Sequence, residues 1–295
     1  AHDGCQGCMR PWQLRTVASM HAYVWWSWLT LLLLGGCVSV PTVAERTANA
    51  DKLAAAADWH RETLKLGDMA LVAYLPSRKL LSATLTVYIE GDGLAWIGSH
   101  RPSLNPTPIT PLALQLALAQ PEGNAAYLAR PCQYLETGAL ACEPRYWADA
   151  RFSEEVIAAS NAAIDSLKHR FNATQLQLVG YSGGAAVAVL LAARRNDVTS
   201  LVTVAGNLDH RMWSEQKRLS PLTYSLNPAD AVKELDSTMQ LHLVGGVDQV
   251  ISPMISEQFM AALNRPSLAR RKVITDFGHQ CCWVKSWPDL WLDWQ

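Results

Sequence analysis

Gly180-Tyr181-Ser182-Gly183-Gly184 is a G-x-S-x-G segment. A serine hydroxyl is a weak nucleophile unless it is exposed, held still and set beside a base. A sharp strand-to-helix turn would expose it, and glycines flank such a serine because two backbones crowd there. The flanks fit, since the β-rich run at residues 175–179 leads into Gly180 and the Ala/Leu-rich residues 183–195 read as a helix. A base must then take the serine proton, and an acid must hold the base in the right tautomer. Asp248 follows the strand-like residues 240–244, and His279 follows residues 272–275 near the C-terminus. Asp230 comes before the relevant strand and Asp276 lies at the end of the histidine's own strand, so both compete less well. Ser182 as nucleophile, His279 as base and Asp248 as acid are the expected catalytic residues.

Elements that could position these groups alternate along the chain. Residues 69–75 and 83–90 are β-rich, and the second run ends at Gly91-Asp92-Gly93. Residues 111–119 have helical character, and residues 125–134 read as a strand. Residues 153–171 form an amphipathic helix, with Ile157, Ser160, Ile164, Leu167 and Phe171 at spacings of three and four. Residues 201–205 add a further strand. Strands alternating with helices predict an α/β fold, with a mainly parallel sheet covered on both faces. No Pro/Ser/Gly linker divides it, so one domain is expected.

Composition narrows the function. The 295 residues are 49% apolar and carry a formal charge of −1, which provides no field for gripping nucleic acid. The eight histidines show no H-x-x-x-H or H-E-x-x-H spacing, so zinc hydrolysis has no support. Neither a dinucleotide fingerprint nor a phosphate-binding loop is present, so no cofactor is expected.

On this G-x-S-x-G and the later Asp248 and His279, the chain resembles the α/β-hydrolase family of serine esterases and lipases over roughly residues 65–295. The resemblance implies an α/β-hydrolase fold with a possible small cap, and cleavage of carboxylic esters through an acyl-enzyme at Ser182. Peptidase, thioesterase or polyester depolymerase chemistry could use the same triad, and an inactive binding scaffold is the reading from another class. The resemblance also implies an oxyanion hole of two backbone N–H groups: that of Gly183 and one from the loop Glu90-Gly91-Asp92-Gly93. Many members carry His-Gly-X at that loop, and Glu90 stands in place of the His. Asp92 is then the expected second donor, with Gly93 as the alternative. A carboxylate beside an oxyanion must point away or be paired, and Arg101 is a candidate partner. Residues 96–111 and 207–235, the latter with His210, Trp213 and Tyr224, could shape specificity. The aromatics could equally be packing residues.

The N-terminus reads as an address. Residues 16–44 contain no charged side chain of Asp, Glu, Lys or Arg, residues 22–34 are nearly all apolar, and Arg10 and Arg15 precede them. Leu34-Gly35-Gly36-Cys37 resembles a bacterial lipobox, which implies cleavage before Cys37 and its lipidation. Residues 1–36 are therefore expected to be a signal peptide, 37–64 a lipidated tether and leading helix, and 65–295 the catalytic domain. Met9 offers a start for that signal, which would place residues 1–8 upstream of it, with the Cys5–Cys8 pair carrying no function. An uncleaved anchor is the alternative. Either way the expected location is the cell envelope, and Val38 after the cysteine favours the outer membrane. Cys132, Cys142, Cys281 and Cys282 could form two disulfides there. Three connectivities are open: Cys132–Cys142 closes an easy short loop, whereas a vicinal Cys281–Cys282 bridge would be strained.

Overall fold

Burial with a period of two divides the strands' side chains between two apolar layers, one on each face of a single sheet. The computed structural model describes residues 40–98, 101–136 and 142–294. The lipobox residue Cys37, the apolar segment before it and the Cys5–Cys8 pair lie outside the described residues. Among those described, no helix is long and apolar enough to cross a membrane. Pro41–Gln295 form one compact unit.

The unit opens with α1 (Val43–Ala56). Thr42 caps it: its Oγ1 accepts from the Glu45 N–H at 3.2 Å while Glu45 Oε2 accepts from the Thr42 N–H at 2.7 Å. Ala50 and Ala54 face the core. Strand β1 (Trp59–Leu66) then pairs antiparallel with β2 (Met69–Pro76) around a Gly67-Asp68 turn, where Gly67 has φ 63°. The sheet thus begins inside residues 37–64, expected to hold only a tether and leading helix. β1 was missed because its exposed positions carry His60, Arg61 and Lys65, and charge of this kind suits an outermost strand.

The remaining strands are β3 (Thr84–Ile89), β4 (Asn124–Leu128), β5 (Gln175–Tyr181), β6 (Val198–Val204), β7 (Met239–Gly245) and β8 (Ala269–Ile274). They stack in the order β1-β2-β4-β3-β5-β6-β7-β8, and every pairing from β4 onward is parallel. The strand expected over residues 125–134 stops at Leu128. Beyond it the chain turns, with Pro131 and positive φ at Cys132 (69°) and Tyr134 (62°). Cys132 lies at bonding distance from Cys142, and Cys281 from Cys282.

Leu85, Val87, Ile89, Leu176 and Leu178 point to one face, where α3 (Glu154–Phe171) and α4 (Gly183–Ala192) cover them. Tyr88, Val179 and Tyr181 point to the other, against α2 (Leu112–Leu118) and α7 (Trp283–Leu292). Trp283 and Trp287 of α7 are among the largest fully buried side chains. Every residue of α4 is buried, so this helix is apolar all round rather than amphipathic. Two further helices, α5 (His210–Lys217) and α6 (Pro253–Ala261), complete the α-helices among the described residues.

Chain order reverses around β3, whose neighbours are β4 on one side and β5 on the other. The carboxyl ends of β3 and β5 therefore open a crevice between connections that leave in opposite directions. Register sets Ile89 beside Gly180 at that point. There α4 starts so close to β3 that a Cβ on Gly184 would collide with the carbonyl oxygens of Ile89 and Glu90. Gly184→Ala is expected to destabilise the protein by roughly 1–3 kcal/mol through overpacking. Thermal unfolding should show a drop of at least several degrees. Gly278→Ala, whose Cβ would meet nothing within 4 Å, should leave the midpoint unchanged; equal effects of the two would show that this close approach is not what holds the crevice.

Candidate active site

Ser182 occupies the turn between β5 and α4 at φ 52° and ψ −117°, a conformation that L-residues rarely adopt. Its N–H donates to the Val204 carbonyl at 3.0 Å and its own carbonyl accepts from the Asn207 N–H at 3.0 Å, so neighbouring backbone pins the turn. The hydroxyl is directed at His279, with Oγ 3.0 Å from Nε2. Nδ1 of the same ring is 2.8 Å from Asp248 Oδ2. The other Asp248 oxygen accepts from the N–H groups of Val250 (2.7 Å) and Ile251 (2.9 Å), so the carboxylate cannot rotate freely.

The loops carrying Asp248 and His279 are laced together. Gly246 N–H donates to the Ile274 carbonyl at 2.8 Å and Val247 N–H to the Phe277 carbonyl at 3.1 Å. A methyl group on Gly245 would come within 2.6 Å of the Phe277 oxygen. Trp283 Nε1 sits 3.1 Å from the carbonyls of both Gly278 and His279, which fastens the histidine loop to buried α7. Sequence spacing brought out the three side chains but not this lacing. Asp230, the weaker competitor for the acid, is tied to Arg211 instead.

The loop after β3 runs along the elbow. The N–H groups of Gly183, Asp92 and Gly93 make no hydrogen bond among the described residues. A Cβ on Gly183 would strike the Asp92 carboxylate, so Asp92 lies directly against the start of α4. That carboxylate is paired with two arginines: Arg130 Nη1 is 3.1 Å from Oδ1 and Arg151 Nη1 2.6 Å from Oδ2. Burial alone would raise the Asp92 carboxyl, but Arg151 and Arg130 outweigh it and hold the group below its ordinary range. The expected partner, Arg101, does not fill this role. Loop proximity in sequence suggested it, whereas residues beyond β4 and before α3 supply the cations through the fold. No spacing rule links Asp92 to positions so far away.

Glu90 is fully buried at the end of β3. Its Oε1 accepts from the Gly91 N–H at 2.9 Å and the Ala113 N–H at 3.3 Å, while Oε2 is enclosed without a partner. Burial pushes this carboxyl up to about 7, against the opposing pull of the Gly91 and Ala113 N–H groups.

These groups line a cleft of about 520 Å³. Glu90, Gly91, Asp92, Gly93, Arg151, Ser182, Asn207 and His279 supply its polar wall, and Trp96, Ile109, Trp213 and Val250 supply apolar surface. Residues 96–111 thus reach the cleft through Trp96 and Pro108–Thr110. Of the aromatics expected over it in residues 207–235, only Trp213 lines it, on α5; its Nε1 donates to the Val250 carbonyl at 3.1 Å. His210 is buried with its ring 6.0 Å from that of Phe152, and Tyr224 is exposed. A larger hollow of about 580 Å³ lies elsewhere, walled by Glu154, Arg194, Arg195 and Asp197, and these side chains pair with one another or with close neighbours. Among the described residues no cluster of side chains could hold a metal ion. Chemically, the cleft offers a hydroxyl next to a carboxylate-backed imidazole, with free N–H groups opposite.

No protein-family model matches the chain, and no curated protein matches it in sequence. Solved structures do match in shape. Est1E from Butyrivibrio proteoclasticus has a TM-score of 0.54 at 14% identity, covering 79% of this chain and 98% of that one. An alpha-beta serine hydrolase homologue from Coxiella burnetii has 0.52 at 13%, covering 78% and 93%. A membrane phospholipase A, described as a bacterial virulence factor, has 0.55 at 13%, covering 94% and 97%. With its eight-stranded, mostly parallel sheet and helices on both sides, the chain has the α/β-hydrolase fold.

Proposed function

We propose that the protein is a serine hydrolase of carboxylic esters, working through an acyl-enzyme at Ser182. The relay from Ser182 Oγ to His279 to Asp248, at 3.0 and 2.8 Å, is the observation that carries this reading. His279 Nε2 takes the hydroxyl proton as Oγ attacks the ester carbonyl, and Asp248 stabilises the imidazolium that forms. The tetrahedral oxyanion is received by the N–H of Gly183 and that of Asp92. Asp92 is preferred to Gly93 because it directly follows Gly91, where an added Cβ would lie 3.3 Å from Ser182 Cβ. The alcohol leaves with the proton from His279, and water then repeats the sequence to release the acid. The apolar rim formed by Trp96, Ile109 and Val250 suits an acyl chain. Serine hydrolase and phospholipase names among the structural neighbours accord with ester chemistry. We place the protein at the envelope through a lipid on Cys37, as the lipobox resemblance implies.

A fluorophosphonate probe should add once, at Ser182, and p-nitrophenyl acetate should be turned over. Ser182→Ala should lose both while unfolding at the wild-type temperature. A folded wild type that neither labels nor hydrolyses esters would refute the proposal.

Asp248→Asn should cut kcat by about 10³–10⁴-fold, as expected when the imidazole is left in the wrong tautomer. Activity within tenfold of wild type would assign the acid to another residue.

Cys37→Ser should move the protein from the membrane to the soluble fraction with its esterase activity intact. Retention in the membrane would favour an uncleaved anchor.

Glu90 ties stability to pH. Its folded value near 7 lies above the ordinary glutamate value, so the folded state holds the extra proton between about pH 4.5 and 7. Stability from this group is therefore fully present at the acid end of that window and is lost as pH rises through 7. Glu90→Gln cannot ionise, so its stability relative to wild type should increase from pH 5 to pH 8, by up to about 3 kcal/mol. Denaturant unfolding at both pH values measures this, and a pH-independent difference would contradict it.

A further inference from the structure

The ion cluster behind the oxyanion loop is unbalanced. One carboxylate, Asp92, faces two guanidiniums, and both arginine side chains are 5% exposed. Arg130 is committed to the interior: Nη1 binds Asp92, Nη2 donates to the Arg151 carbonyl, and its guanidinium lies 5.2 Å from the Phe152 ring centroid. Arg151 has its guanidinium 5.9 Å from the Trp213 ring centroid, and two of its three nitrogens are hydrogen-bonded. Its Nε donates to the Ala148 carbonyl at 2.6 Å and Nη1 to Asp92 at 2.6 Å. Its Nη2 makes no hydrogen bond among the described residues, and it is not among the polar atoms sealed away without a partner. It therefore keeps a path to solvent, and Arg151 lines the cleft that holds Ser182.

A guanidinium with unfilled donors in a largely dry wall is costly unless something pairs with it. The other acids around the cleft do not serve. Asp248 is engaged by His279, and Glu90 binds Gly91 and Ala113 through Oε1 while its Oε2 is sealed from solvent. The natural complement of a planar guanidinium edge is a carboxylate or phosphate oxygen. Asp92 connects Arg151 to the start of α4, and Arg151 and Ser182 line the same cleft, so an anion on Nη2 would share that cleft with the ester carbonyl.

We infer that Arg151 is an anion-binding specificity residue, and that the ester cleaved at Ser182 carries a carboxylate or phosphate close to its scissile bond. This inference rests on the hydrolase reading above.

The test compares kcat/KM for matched pairs of esters. The carboxylate arm sets mono-p-nitrophenyl succinate against p-nitrophenyl butyrate, and the phosphate arm sets dibutyrylphosphatidate against dibutyrylglycerol. At least one anionic ester should be preferred about tenfold or more, mainly through KM, and the preferred arm identifies the anion. Arg151→Gln should bring that ratio close to one, and Arg151→Lys should restore part of it. A wild-type ratio of one in both arms overturns the inference, as does a ratio that survives in folded Arg151→Gln. Calorimetry on Ser182→Ala, with glutarate and butyl phosphate as probes, reads the anion site without turnover. If no ester is cleaved, the hydrolase reading fails. Binding that is lost on adding Arg151→Gln would still support the anion site, and absence of binding would overturn it.

Discussion

The contact on which this architecture depends is the approach of the first turn of α4 to the end of β3. Gly184 touches the carbonyls of Ile89 and Glu90 so closely that no side chain fits between them. That proximity bends the chain sharply after β5 and leaves Ser182 in its unusual backbone conformation. Strain of this kind persists only where the surroundings over-determine it. Here hydrogen bonds to Val204 and from Asn207, together with a fully buried α4, supply the constraint. The same contact presents the loop after β3 to the serine.

That loop contains two carboxylates beside the serine turn, and the fold treats them differently. Asp92 is held ionised by pairing with Arg130 and Arg151. Glu90 is buried without a cation, and its carboxyl is pushed towards neutrality. The first offsets the negative charge with cations and the second removes it by protonation. The first leaves a surplus of positive charge on the cleft wall, and the second leaves a group that titrates near neutral pH.

On the far side of the cleft, position comes from lacing rather than burial alone. The Asp248 and His279 segments are hydrogen-bonded to each other, and Trp283 holds the latter to the packed tryptophans of α7. Movement of α7 would therefore be felt at the imidazole, although the helix supplies none of the cleft's polar groups.

The alternation of apolar runs was enough to read a doubly covered parallel sheet from the chain, because burial on both faces leaves a local signature in each strand. The G-x-S-x-G segment and the acid and histidine after later strands were legible for a similar reason: each is tied to the end of its own element. β1 was not, since an edge strand carries charge and has no continuous apolar run. Nor were the turn at Cys132 and Tyr134, the arginines that flank Asp92, or the sealed environment of Glu90. Those are decided where segments far apart in sequence meet. Charge pairing and desolvation depend on distance in space, and only the folded chain sets that distance.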